Sequence, residues 1–438
     1  MSVVIFTICA RNYIGLARVL QQSLAQHGPD VDFRIYVADD DGPHEQDEAI
    51  IAAPHALRAI ISPIEYANMA LMYDVTEFCT SIKAACFQHA LSDGYETCIY
   101  MDPDIFLISD IGQILAALDG HNILMTPHLC LPALGEGPRA DSGILATGVY
   151  NLGFLALRKG HVAEQFLAWW HQRLRTQAFN DHYKALYTDQ RWMDFVPALF
   201  PAEAVRVWRH LGCNMAPWNY HERRIALHDG QFLVQPRANA NDDAVHFDPL
   251  IFLHFSGFDF RRILDGTFDQ LNLADARTYD DVTPLYDLYG AAIRAQADTM
   301  LQYLALPYGF GVFADGSPIL PSHRRLFRVW RERHGDAAAP FATGQQSFHD
   351  ALRQRGLLGA GDNAALAADK ATARSMKDAD RLLGRAQQAF RLLYRTLGRS
   401  RFIVFVRSLN RLSRIEQHYD TLGMDSIFVA PATQSAAQ

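Results

Sequence analysis

Two carboxylates, Asp102 and Asp104, stand where an apolar run over 97–101 meets another over 105–108. Acids at such a junction are poor core residues. If the strand runs on through them, residues two apart point to one side. Both could then offer oxygen to one hard divalent cation at the mouth of a sheet. Such a cation would neutralise a pyrophosphate leaving group. The plain alternative is a strand exit decorated with turn acids, since Asp and Pro both favour turns.

The surrounding pattern says what must position these acids. Residues 3–8 form a continuous apolar run suited to a strand covered on both faces, and 14–26 carry helical spacing through Leu16, Leu20 and Leu24. A second β-rich run, 33–38, stops at Asp39, Asp40 and Asp41. Helices are predicted around 45–53 and 80–91, followed by the strand bearing Asp102. Alternating strands and helices imply an α/β fold whose mostly parallel sheet opens a ligand crevice at the strand carboxyl ends, where both acidic clusters fall. Residues 148–157, which include Asn151, read as another buried strand. The 159–177 segment reads as a helix packing Val162, Phe166, Trp169, Trp170 and Leu174. A last apolar strand over 250–257 is interrupted by His254 and closes on a small-residue turn at Gly257. Taken alone, His254 would be a satisfied core histidine. Beyond 266 the sheet signals fade, and 284–304 shows the apolar stripe of a helix. These signals divide the chain into a 1–265 domain, a helical closure over 266–341 and a basic, mainly helical region over 342–438, with a break near 359–362.

With 438 residues and 49% hydrophobic composition the chain can bury a large core, and its net charge of −8 argues against a general nucleic-acid binder. Six cysteines sit in apolar stretches without zinc-ligand spacing, as expected of reduced thiols in a cytosolic protein. No apolar run is long enough to span a bilayer, so any membrane contact is peripheral. Charge is nevertheless polarised: residues 370–414 hold twelve Lys or Arg against two Asp. There Phe390, Leu393, Tyr394, Leu397, Phe402, Phe405, Val406 and Leu409 alternate with arginines. This surface is either a solvated helix pair docked on the rest of the chain or one drawn to anionic lipid headgroups. The 430–438 tail is Ala/Gln-rich.

Several separated segments fall into one order: residues 8–13, the Asp-x-Asp of 100–104, 150–154 around Asn151, Thr188-Asp189-Gln190, and 253–258 around His254. Together they resemble the metal-dependent GT-A glycosyltransferases of the glycogenin and lipopolysaccharide galactosyltransferase type, family eight. The likeness covers most of 1–265 and extends to bacterial polysaccharide-assembly transferases. It implies a GT-A nucleotide-sugar-binding domain in which Asp102 touches ribose and metal, Asp104 binds the metal, and His254 completes the shell. The chemistry agrees independently, because an oxygen-plus-imidazole set suits Mn²⁺ or Mg²⁺ better than zinc or calcium. Asn151, Asp189 and Gln190 match positions facing donor sugar and acceptor. The resemblance gives Asp189 and Gln190 the task of stabilising an oxocarbenium-like centre and positioning the acceptor in a retaining transfer. Read without it, Asn151 is a strand-end residue and Asp189 a helix cap. An inverting enzyme would instead need a carboxylate base, Asp189 or Asp141.

The chain also departs from the family. Ala10 and Arg11 precede Asn12 where many members carry a base-reading acid, which leaves the donor nucleotide open. The Lys-Pro-Trp that follows the family's histidine is replaced here by residues 258–262. Arg261, Arg262 or Lys83 would then supply charge to the β-phosphate. Donor contacts are expected from Arg11, Asn12, Asp39, Asp40, Lys83, Asp102, Gly257 and Arg261. Acceptor contacts are expected from the loop carrying Trp218, Asn219, His221 and Glu222, unless that loop is structural and pinned by a buried Trp. The implied partners are a nucleotide sugar and a glycan or lipid-linked glycan, with no nucleic acid, and homo-oligomerisation is open. The implied setting is bacterial surface-glycan assembly in the cytoplasm, at the inner membrane face. Two other readings stand beside this one. An aspartyl-nucleophile phosphohydrolase would use Asp102, although Phe106 stands where those enzymes carry Thr or Val. A non-catalytic sugar-binding protein on the same fold is the third.

Overall fold

Strand β1 (Val3–Cys9) shows why the first apolar run needs cover on both sides. Its residues alternate between two cores. Ile5 packs among Leu20 and Leu24 of the helix Ile14–His27, while Phe6 turns the other way and meets Phe87 edge-on at 4.7 Å. Phe87 belongs to the helix Lys83–Ser92. A sheet sandwiched between helices follows directly from this two-sided burial. The computed structural model describes residues 2–28, 30–40, 42, 47–132, 141–237, 247–269, 279–358, 373–411 and 414–427.

The central sheet has seven strands. With β2 (Asp32–Val37), β3 (Ile50–Ala52), β4 (Thr97–Met101), β5 (Ile105–Leu107), β6 (Ile123–Pro127) and β7 (Tyr150–Arg158), its order is Val205–Val207, β6, β7, β4, β1, β2, β3. Neighbours are parallel except at β7, which runs antiparallel to both β4 and β6. That reversal matters for the site. The start of β7 lies at the edge where its neighbours end, Phe154 opposite Met101 and Tyr150 opposite Pro127. Asn151 therefore reaches the carboxyl edge of the sheet beside the residues that follow β1, β4 and β6.

Several sequence expectations need correction. The helix predicted over 45–53 is instead β3, whose Ile50 and Ile51 pair parallel with β2, and 43–46 lie outside the described residues. Two β-branched residues beside the open edge of β2 gain more from the ladder than from a helix. The predicted 80–91 helix is two, Val75–Ser81 and Lys83–Ser92. The 284–304 helix likewise divides at Gln296 into Thr283–Ala295 and Ala297–Leu304. A three-stranded antiparallel sheet, Arg223–His228, Gln231–Pro236 and Asp248–Pro249, was not foreseen. The proposed break at 359–362 and the 430–438 tail lie outside the described residues, as does the side chain of Asp141.

The chain forms two compact units. One lies within Met1–Ser62 and Val75–Gly309 and carries the sheet; the other lies within Pro63–Asp74 and Phe310–Gln438. The second is helical, with Pro63–Met72 packed on Pro321–His334. Arg324 holds these together, although it is buried, because its guanidinium donates to the carbonyls of Ala70 (2.7 Å), Leu71 (3.2 Å) and Tyr73 (2.8 Å) at the end of the first helix. Those carbonyls have no intrahelical partner, so the cation satisfies a helix terminus. Among the described residues, no helix is long and apolar enough to cross a membrane.

Candidate metal and sugar-nucleotide site

Asp102 and Asp104 do not lie in a strand. Strand β4 ends at Met101, and Asp102-Pro103-Asp104 form a tight turn closed by Ile105 N–H donating to the Asp102 carbonyl at 3.0 Å. Pro103 has no N–H to continue a ladder, which is why the chain turns here. The turn delivers both acids to the carboxyl edge all the same. Its exit, β5, pairs antiparallel with Phe252–His254, setting His254 opposite Ile105. That short ladder closes the distance of about 150 residues in sequence. His254 Nε2 lies 3.1 Å from Asp104 Oδ1 and 3.5 Å from Asp102 Oδ2, and one ligand atom from each of the three falls within 4.8 Å of the others.

The electrostatics favour a cation. Burial by itself would lower the His254 pKa, but the Asp104 and Asp102 carboxylates outweigh it and hold the imidazole above its usual value. Burial pushes the Asp102 carboxyl up, against the opposing pull of Lys83 and His254. The three groups thus compete for positive charge, in a place where a divalent ion would supply it. The donor set fits such an ion: two carboxylates and one imidazole, a set that suits Mn²⁺ or Mg²⁺.

A buried amide network fixes the orientation of the histidine. His254 Nδ1 donates to Asn214 Oδ1 at 3.3 Å, which leaves Nε2 facing the acids, where a bound cation would take the place of its proton. The Asn214 amide donates to Thr126 Oγ1 and to Asn151 Oδ1, both at 2.9 Å. Asn151 in turn donates to Gln190 Oε1 and His128 Nε2, each at 3.3 Å, and Gln190 donates to the Thr147 carbonyl at 2.8 Å. Every donor and acceptor in this chain has one consistent assignment, so the side-chain amides cannot flip independently. Asn214 was not singled out from sequence. Its value comes from a left-handed backbone (φ +53°) and complete burial, neither of which local sequence announces. Asn214→Ala should lower Mn²⁺ affinity by about 10- to 100-fold in calorimetric titration, because the ring loses the partner that fixes its tautomer.

A second path joins the acids to Asp189. Lys83 is almost fully buried and its ammonium lies 2.6 Å from Asp189 Oδ2, donates to the Leu152 carbonyl at 2.8 Å and sits 3.9 Å over the Tyr100 ring. The Tyr100 hydroxyl donates to Asp102 Oδ1. Lys83 is therefore committed to Asp189 and does not face outward as a free phosphate contact. The carboxylate accepts from Thr188 Oγ1 at 3.1 Å and caps no helix N–H.

The remaining expected residues separate into open and closed groups. Asn12 Oδ1 is a buried acceptor and Trp218 Nε1 a buried donor, each without a hydrogen-bond partner among the described residues. Trp218 stands edge-on to His254 at 5.2 Å and to His128 at 5.3 Å. Arg261 caps over Phe260, whose ring meets Tyr13 at 5.0 Å, and Gly257 takes a φ of +77° in the turn after His254. Arg262 pairs with Asp269. Asp39 is closed, its carboxylate accepting Arg11 N–H at 2.7 Å and Gly309 N–H at 2.8 Å, and Arg11 Nε donates to the Pro307 carbonyl at 2.6 Å. Asp40 accepts the Gly42 N–H at 2.8 Å.

Asn219 and Glu222 are both buried and hydrogen-bonded inside the protein. Asn219 is wholly buried and its amide is spent on Ala216 N–H and on the carbonyls of His128 and Asn214. Glu222 accepts the N–H groups of Cys130 and Leu131 and pairs at 2.9 Å with Arg223, which is itself fully buried. These two side chains are engaged within the loop and its neighbours. Glu222→Ala should destabilise the protein by about 3–5 kcal/mol in denaturant unfolding, because it strands the Arg223 cation. His221 is half-buried.

No family model matches the chain. It is 30% identical over 188 residues to the uncharacterized protein YfnD of Bacillus subtilis, an alignment covering 42% of this chain and 54% of that protein. The chain thus spans about half the length of that relative. Among solved structures it is similar to the galactosyltransferase LgtC in complex with donor and acceptor sugar analogs, with 13% identity, a TM-score of 0.35 and coverage of 67% of this chain and 95% of that one. It is also similar to the glycosyltransferase GlyE of Streptococcus pneumoniae, at 11% identity, a TM-score of 0.33 and coverage of 72% and 67%. Likenesses of this size assign neither a fold nor an activity.

Proposed function

We propose that the chain is a metal-dependent glycosyltransferase of the GT-A type, moving a sugar from a nucleotide donor to a glycan or lipid-linked glycan acceptor in bacterial surface-glycan assembly. One observation carries the reading: Asp102, Asp104 and His254 converge at the carboxyl edge of a mostly parallel sheet, and two buried networks tie them to Asp189 and Gln190. Asp102, Asp104 and the Nε2 of His254 would hold Mn²⁺ or Mg²⁺, which when bound supplies the charge that a departing diphosphate requires.

The chain's own residues account for the rest of the chemistry. Asp189, ion-paired with Lys83, faces the position where positive charge would develop at an anomeric carbon and would stabilise it. Gln190 has both ends of its amide engaged and holds the start of β7, with Asn151, at the donor sugar. A retaining outcome suits this arrangement, since Asp189 is locked against Lys83 and poorly placed to take a proton as a base. Asn12 Oδ1 and Trp218 Nε1 keep an unspent acceptor and donor for donor and acceptor hydroxyls.

Incubation with a panel of nucleotide sugars tests the proposal. Nucleoside diphosphate release that requires Mn²⁺ or Mg²⁺ and rises with a glycan acceptor is the expected result. Release by no donor under any divalent ion, with the protein shown to be folded, rejects it.

A further inference from the structure

The helix Ala373–Arg411 of the second unit is interrupted at Gly398, whose φ of +69° and ψ of 166° are not helical. The chain doubles back there: Phe402 meets Phe390 at 6.2 Å and Tyr394 at 5.3 Å, both edge-on. Residues 402–406 are Phe-Ile-Val-Phe-Val, apolar around the whole helix, so a single neighbouring helix covers only one side. Phe402 and Phe405 take the half-buried places. Ile403, Val404 and Val406 stay exposed, Val404 at 63%, together with Leu392 at 64% on the preceding half. Phe390 and Phe402, two of the apolar residues that alternate with arginines in the sequence, meet each other where the hairpin closes.

Charge identifies what would cover this face. Between residues 381 and 415 there are nine Arg and no Asp or Glu, and Arg391, Arg395, Arg399, Arg401 and Arg407 are all exposed. We propose that the hairpin docks on an anionic lipid bilayer, with Leu392, Ile403, Val404 and Val406 entering the headgroup boundary and the arginines resting on lipid phosphate. A second copy of the hairpin would bring like charges together. A nucleic acid would meet the arginines but leave the aliphatic side chains wet. The inference stands apart from the glycosyl-transfer reading, because it uses none of that site's residues.

Sedimentation of the full chain with vesicles decides it. The chain should bind phosphatidylcholine vesicles containing about one third phosphatidylglycerol, release in about 0.5 M salt, and ignore phosphatidylcholine alone. Arg395→Gln, Arg399→Gln and Arg401→Gln should each weaken partitioning about five-fold, and together about 100-fold. Ile403→Asp combined with Val404→Asp should abolish it, with an unchanged melting temperature because both sites are exposed. Arg173→Gln, on the helix His161–Gln177 of the first unit, serves as the charge control. Equal binding to neutral vesicles, or undiminished binding by the double Asp variant, overturns the proposal. So does a dimer in light scattering that the double Asp variant dissolves, or RNA retention in place of vesicle binding.

Discussion

Asp104→Ala is expected to reduce cation-dependent donor turnover by about 10³-fold, the loss typical when one group stabilising developing charge is removed. The argument is geometric. Asp104 lies nearer His254 Nε2 than Asp102 does, and that imidazole is its side-chain partner, whereas Asp102 is also engaged by the Tyr100 hydroxyl. Asp104 is thus the carboxylate most free to bind an ion. Its backbone carbonyl accepts the Phe255 N–H at 2.9 Å, and that contact survives the substitution, so the fold should persist. Asp104→Asn, which keeps an oxygen donor and loses the charge, should fall between wild type and Ala. Steady-state diphosphate release with calorimetric Mn²⁺ titration checks both, and wild-type turnover by the Ala variant would remove Asp104 from the site.

Gly153→Ala should cost metal binding without touching any ligand. A Cβ at 153 would lie 2.3 Å from His254 Cε1, 2.6 Å from its Nδ1 and 2.9 Å from Asn151 Oδ1. The ring cannot yield without losing its seat, since Trp218 stands on one side and Asn214 holds Nδ1. Gly153 is also fixed in place, its carbonyl accepting the Asp102 N–H at 2.8 Å and its own N–H donating to Asn151 at 3.0 Å. The imidazole must therefore swing off the acids. Mn²⁺ affinity should drop about 10- to 100-fold, with a stability loss of about 1–3 kcal/mol from overpacking. Unaltered affinity would show that the histidine is not held where it needs to be for binding.

What the sequence made legible follows from where the physics is local. The two-sided burial of β1 and β7 shows as uninterrupted apolar runs, and the helix His161–Gln177 shows as a stripe of Phe166, Trp170 and Leu174. The proximity of His254 to the acids was legible only through resemblance, because the ladder that joins them spans distant segments. Other features defeated local reading for specific reasons. Arg324 and Arg328 are buried in Pro321–His334, so its core face is written in residues that ordinarily mark a surface. Lys83 looked like a phosphate contact because its partner, Asp189, is 106 positions away in the chain. Glu222 and Asn219 carry ligand-like chemistry, yet they satisfy backbone groups of a buried loop, a demand that appears only once the loop is folded.

The discontinuous build of the second unit has a consequence for synthesis. Pro63–Met72 leaves the ribosome well ahead of the arginine that satisfies its last carbonyls, which follows 254 residues later. At about 5–20 residues per second the nascent helix waits roughly 10–50 s with Met69, Leu71 and Met72 uncovered. A chaperone that engages this stretch during translation would be guarding a docking step that cannot begin until the intervening residues have been made.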